Sequence, residues 1–194
     1  KEWVRQLQDS LELGRRRAEA GLLMLAPATQ AIVLTGSKGS GVTTFARVVA
    51  SLIHTDDVTR TSVASAAVEL TGSDLVSNRD RRYIAEAAQA AAKRAAGGVL
   101  LIDDVHLLCD NGSSSSSSSS SSSLEAVLDT LVREAEAQGG PVIVLAGEAC
   151  QALSSVADQG PLARLHPLRL AIGAFTVVEL AAVVGAMAQA CGFK

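Results

Sequence analysis

The chain has 194 residues, 48% hydrophobic but only 3% aromatic, which is enough for one sizeable core built from Ala, Val, Leu and Ile and the start of a second. A net charge of -3 leaves no electrostatic footprint for nucleic acid or an anionic membrane surface, and no apolar run reaches membrane-spanning length. Three cysteines, odd in number, widely spaced and without a C-x-x-C, argue against zinc and dithiol motifs and set a reducing, intracellular compartment as the expectation, with cytoplasm and organelle lumen both open.

No signal peptide is visible. The sequence opens on Lys1 and reads as an excerpt. Residues 1–30 form a first segment. Lys1 to Ala20 predicts an amphipathic helix, with Val4, Leu7 and Leu11 on one stripe and Arg15-Arg16-Arg17 on a solvated face. Leu22 to Leu25 leads through Pro27 into the first strand. Residues 31–175 predict an α/β core. The apolar run Ala31 to Thr35 predicts a buried strand, followed by Gly36, Gly39 and Gly41, and then a helix from Thr43 to His54. Ala66 to Leu70 is expected to be the second strand, ended by Gly72, with Ser73-Asp74 opening a turn. Arg79 to Ala96 predicts an Ala-rich helix closed by Gly97-Gly98. Val99 to Ile102 is a third strand running into Asp103-Asp104.

Ser113 to Ser123 is an unbroken serine tract, read either as a disordered loop or as a placeholder. Leu124 to Gln138 is amphipathic, Pro141 to Ala146 is a fourth strand, and Glu148 to Val156 a short helix. Leu168 to Ile172 predicts a fifth strand, and Thr176 to Ala190 a last helix. Continuous apolar strands alternating with helices predict a parallel sheet covered on both faces. Ligands of such sheets sit at the carboxyl ends of the strands, where the glycine loop, Asp103-Asp104 and Glu148 all fall.

The segment Ala31 to Arg47 has the form of a phosphate cradle: strand, glycine loop, helix start. Glycines bring backbone N–H groups close to phosphate oxygens, and the helix N-terminus adds partial positive charge. Gly36, Ser37, Lys38, Gly39, Ser40, Gly41, Val42, Thr43 and Thr44 are the candidate binding residues. The pattern G-x-x-x-x-G-K-[ST] fits Gly36, Gly41 and the magnesium hydroxyl Thr43, but Val42 stands at the lysine position. The alternative is a glycine turn without a ligand. The missing charged hydrogen bond is worth roughly 1.5–3 kcal/mol in binding, and more where charge builds up during transfer. Lys38, in the same loop, is the one candidate replacement. Asp103 after a hydrophobic strand suits a metal-orienting role, with a helix cap as the alternative. Asp104, where a glutamate usually polarises water, is one methylene shorter and reads equally as a helix cap.

The blocks VLTGSKGSGVTTFARVVA, ELTGSDLV, GGVLLIDDVHLL, PVIVLAG and GPLARL, in that order, resemble the CbxX/CfxQ group of AAA+ ATPases, which includes red-type Rubisco activases and EccA-like proteins of type VII secretion. The resemblance implies an AAA+ P-loop core of five parallel strands ordered 5-1-4-3-2. It also implies a hexameric ring with ATP or ADP and Mg2+ between subunits. Gly36, Gly41 and Thr43 match its Walker A pattern, Asp103 its Walker B aspartate, and Glu148 its sensor 1 position. Arg164 matches an arginine able to serve a neighbour's nucleotide as a finger, or else is a surface arginine. The family's pore-loop aromatic falls on Arg79, with Tyr83 further on in a helix. Residues 176–194 match the start of a helical lid that the chain largely lacks. Three departures together, at Val42, Asp104 and Arg79, predict a hydrolysis-impaired module with weak or no nucleotide binding. It would act among other AAA+ subunits in a tandem chain or mixed ring, with no nucleic acid or membrane partner. The alternatives are a working ATP-hydrolysing remodeller with an atypical P-loop, and a P-loop or Rossmann-like binding protein outside the family.

Overall fold

The computed structural model describes residue 16 and residues 30–56, 67–76, 81–109, 123–137 and 139–192. The expected helix over Lys1 to Ala20 (apart from Arg16), the Leu22 to Leu25 connection, Arg79 and almost all of the serine tract lie outside them. The described elements are β1 (Ala31–Gly36), α1 (Val42–Asp56), β2 (Val68–Thr71), α2 (Gly72–Val76), α3 (Arg81–Arg94) and β3 (Val99–Asp103). A 3-10 turn (Val105–Leu108), α4 (Ser123–Glu136), β4 (Val142–Gly147), α5 (Gln151–Gln159), a second 3-10 turn (Pro161–Leu165), β5 (Leu168–Ile172) and α6 (Val177–Ala190) follow.

The five strands form one parallel sheet in the order β2-β3-β4-β1-β5, which is the expected order read from the other edge. Side chains alternate between the two faces along each strand. Ala31, Val33, Leu100, Ile102, Ile143 and Leu145 pack on one side with α3, α4, α5 and the 3-10 turns. Ile32, Leu34, Val99, Leu101, Val144 and Ala146 pack on the other side with Val42, Ala46, Val49 and Ala50 of α1. The inner strands β1, β3 and β4 are therefore apolar at nearly every position, because neither face meets water. The edge strand β5 alternates partly buried with exposed residues, and β2 is partly buried apart from exposed Glu69. Exposed Arg169 on β5 pairs with Asp158 at 2.7 Å, the kind of charge that keeps an edge from pairing with another sheet.

Several boundaries move for local reasons. β2 is Val68–Thr71 rather than Ala66 to Leu70. The turn expected at Ser73-Asp74 is instead the short helix α2. Thr71 Oγ1 accepts the Asp74 N–H at 3.2 Å and its hydroxyl donates to the Asp74 carboxylate at 2.6 Å, so Thr71 acts as a cap. The helix expected from Glu148 starts three residues later, at Gln151. The Glu148 N–H is held by His106 Nδ1 at 3.2 Å, and the helix start passes to Cys150, whose Sγ accepts the Leu153 N–H at 3.4 Å. α6 follows a capping box made by Thr176 and Glu179, yet none of its residues is buried.

Candidate functional site

All carboxyl ends of the parallel strands lie at one edge of the sheet, and the glycine loop crosses it between β1 and α1. A tight turn is closed by the Ser40 N–H donating to Ser37 C=O at 3.0 Å. Gly39 and Gly41 have φ of 82° and 81°, a region that side chains rarely adopt, so these two positions need glycine. The Phe45 N–H then donates to Gly41 C=O at 2.9 Å and starts the 15-residue α1. No acidic residue lies in its first turn, so no carboxylate of that turn offsets the positive end of the helix. Ser37, Lys38 and Gly39 are exposed, Thr43 is half-buried and Thr44 exposed. Ser40 is 4% exposed, and its hydroxyl is a buried side-chain group with no hydrogen-bond partner among the described residues. A buried polar atom left in this way is costly unless something else satisfies it.

Val42 is 9% exposed and belongs to the core cluster beneath α1. A Cβ built on Gly36 would lie 2.6 Å from both Val42 Cγ2 and Ser40 Oγ, and 2.9 Å from Ile172 C=O. Gly36 is thus required by the close approach of Val42, Ser40 and the Ile172 carbonyl.

Asp103 ends β3 opposite Thr71 and is only 6% exposed. Its Oδ1 accepts the Asp104 N–H at 2.9 Å. Asp104 is left-handed, with φ 52° and ψ 35°, and its side chain makes no cap bond to the 3-10 turn that follows. The cap alternative for Asp104 therefore fails: the backbone conformation turns the chain without help from the carboxylate. Room for that turn comes from Gly72, where any Cβ would collide with the Asp104 carbonyl oxygen. Glu148 follows β4 with its side chain exposed and its N–H on His106. Gly147 packs so closely on the 3-10 turn that its Cβ would meet His106 Nδ1 and Val105 N at 3.1 Å.

The fold therefore brings the cradle, Asp103, Asp104 and the Glu148 backbone to one edge. Arg164 is not brought there. It lies on the second 3-10 turn, whose Leu162 and Leu165 pack in the cluster on the sheet face opposite α1, and it pairs with Glu136 at 3.4 Å. On α1, Arg47 clamps Glu69 of β2 through Nε (3.2 and 3.1 Å) and Nη2 (2.7 Å). Its guanidinium is held above its ordinary pKa, first by these hydrogen bonds, then by the charge of Glu69, and last by that of Asp103. An open hollow along α1 is lined by Thr44, Arg47, Val48, Ser51 and Leu52, so it starts beside the last cradle residue and runs along the helix.

Two site neighbours escape a reading of the sequence. Phe175 places Cε2 and Cζ 3.7 Å from where a Cβ on Gly41 would be, so the loop after β5 packs against the cradle. His106 holds the Glu148 N–H through its Nδ1. Its spacing two residues after Asp104 is the available signal, but histidine at such a place reads as an ordinary surface residue.

Glycine conformations, the helix start and the orphaned Ser40 hydroxyl fit a phosphate group. Thr43 and buried Asp103 fit a magnesium ion held largely by phosphates and water, since no group of three or more His, Cys, Asp or Glu among the described residues is placed to hold a metal alone. Val42 does not fit the cationic role. No helix among the described residues is long and apolar enough to cross a membrane.

Among curated proteins none matches this chain. The family model described as the ATPase family associated with various cellular activities (AAA) matches residues 32–157, from β1 into α5. That span covers well over half of the 194 residues and takes in the cradle, both aspartates and Glu148. Nucleotide and magnesium binding are general to this family, and its members commonly assemble as rings. With the sheet order and the cradle in agreement, the chain belongs to the AAA family of ATPases.

Proposed function

We propose that this chain is a hydrolysis-impaired AAA+ module of the CbxX/CfxQ type. It binds ATP or ADP with Mg2+ weakly or not at all, and works as a structural or regulatory member of a tandem AAA+ chain or mixed hexameric ring. Residues 31–175 are its AAA+ core and 176–194 open a helical lid. The setting is intracellular and reducing.

One observation carries this reading: Val42, with its methyl groups against Gly36 and its side chain in the core, occupies the lysine position. A valine offers no hydrogen bond and no charge to a transferring phosphoryl group, whereas the amide cradle needs neither. Binding is reduced while transition-state stabilisation is lost. Arg164 acts on a neighbour's nucleotide. It leaves Glu136 readily, because an exposed pair holds by at most about 1 kcal/mol.

Steady-state ATP turnover of the parent beside Val42→Lys tests the proposal. The parent is expected to be silent. Val42→Lys should tighten nucleotide binding about 10- to 100-fold, the equivalent of roughly 1.5–3 kcal/mol for a charged hydrogen bond. Loss of a partner's ATPase on Arg164→Ala supports the regulatory role. A second reading, a working remodeller, is favoured by the intact cradle, Thr43 and Asp103. Turnover by the parent that disappears in Lys38→Ala establishes that reading and overturns the first.

A further inference from the structure

Two thiols far apart in sequence meet beside the site. Cys109 follows the 3-10 turn after Asp103-Asp104, and Cys150 follows Glu148 at the start of α5. Their sulfurs are 2.9 Å apart across a separation of 41 residues, one thiol donating to the other. Both remain thiols in this structure, both are partly exposed, and both pack against the same core cluster. Each is oriented by backbone as well: Cys150 Sγ accepts the Leu153 N–H at 3.4 Å, and Cys109 lies 3.9 Å from Val105 C=O. Cys191 is exposed beyond α6.

We propose that Cys109 and Cys150 are a redox modification site, forming a reversible disulfide that ties the turn after the paired aspartates to the Glu148 loop. A covalent S–S bond is about 2.05 Å long, so closing the present gap of 2.9 Å takes a movement of under about 1 Å. The oxidant is a peroxide. One thiol loses its proton, its thiolate attacks a peroxide oxygen, the O–O bond breaks, and the departing hydroxide takes up that proton, leaving a sulfenic acid and one water. The second thiol loses its proton, its thiolate attacks the sulfenic sulfur, the S–S bond forms, and the hydroxide that leaves takes up this proton as the second water. Two thiols and one hydrogen peroxide become one disulfide and two waters. A dithiol reverses the step by exchange. Glu148 and the His106 that holds its N–H lie in the two segments that carry the sulfurs, so the bond fixes those segments to each other. The disulfide forms whether or not the module hydrolyses ATP.

The test treats the purified full chain with graded hydrogen peroxide, caps remaining thiols with N-ethylmaleimide, and maps peptides by mass spectrometry without reduction. The expected product is a peptide pair linked through Cys109 and Cys150, with Cys191 recovered as its maleimide adduct and dithiothreitol restoring both thiols. Oxidation should raise the Tm by roughly 5–10 °C and slow exchange of the amides from Glu148 to Leu153 about tenfold. Both changes should persist in Cys191→Ser and vanish in Cys109→Ser and Cys150→Ser. Links through Cys191, or recovery of Cys109 and Cys150 only as adducts or sulfinic acids, overturn the proposal. The peptide map is read on the parent protein, so it decides the matter even where a serine variant fails to fold.

Discussion

Asp104 turns the chain in a left-handed conformation that costs a non-glycine residue some free energy, and it is tolerated because Gly72 leaves space for its carbonyl. Gly72→Ala puts a methyl group into that carbonyl, so either β2 or the aspartate turn must move. We expect a destabilisation of about 1–3 kcal/mol, as for overpacking, seen as a lower urea midpoint with an unchanged m-value. An unchanged midpoint shows that the turn relaxes freely. The sequence marks Gly72 as a strand terminator, and it does follow the last residue of β2 as the first of α2, but the close approach that requires glycine there is not legible. A single sequence cannot reveal which distant backbone approaches a glycine. Val42 is the opposite case. Its departure from the P-loop pattern is visible in the sequence, and its burial against Gly36 adds that the position is filled by packing.

At the scale of elements, α6 differs from the other long helices. It has a complete capping box but no buried residue, and Val177, Val178, Leu180, Val184 and Met187 are all exposed. Among the described residues little apart from local interactions holds it. Removing the Thr176 hydroxyl breaks its bonds to the Glu179 N–H (3.3 Å) and carboxylate (2.8 Å). The cost is about 1 kcal/mol, so amide exchange across α6 in Thr176→Ala should quicken about fivefold while the sheet is unaffected. Equal exchange in the two proteins shows that α6 is held by packing instead. The clamp between Arg47 and Glu69 joins α1 to the edge strand β2. A raised arginine pKa means that its contribution is present throughout the neutral range and lost only in strong base. High salt should weaken this tie at any ordinary pH.

For the molecule as a whole, one sheet serves two cores. Leu34 faces the α1 side and Leu128 lies on α4 on the other side, both fully buried. Leu34→Ala and Leu128→Ala should each cost about 2–5 kcal/mol. Because both faces share the same strands, each should shift a single unfolding transition in urea, with far-UV circular dichroism and hydrogen exchange moving together. Separate transitions for the two faces show that the layers fold independently. Arg164 belongs to this scale too: it stands on the layer opposite the P-loop helix, paired with Glu136.

The sequence by itself determined the alternation of strands and helices, the parallel sheet, and the glycine loop with valine at position 42. These depend on local pattern: continuous apolar runs mark strands buried on both faces, and glycine spacing marks a tight turn into a helix. Only the tertiary structure decided where α5 begins, why Gly72 must be glycine, that Ser40 is buried with its hydroxyl unmet among the described residues, that Phe175 lies against Gly41, and that Cys109 meets Cys150. Each of these depends on residues that are distant along the chain and adjacent in space. The sheet register brings such residues together, and no local period in the sequence encodes it.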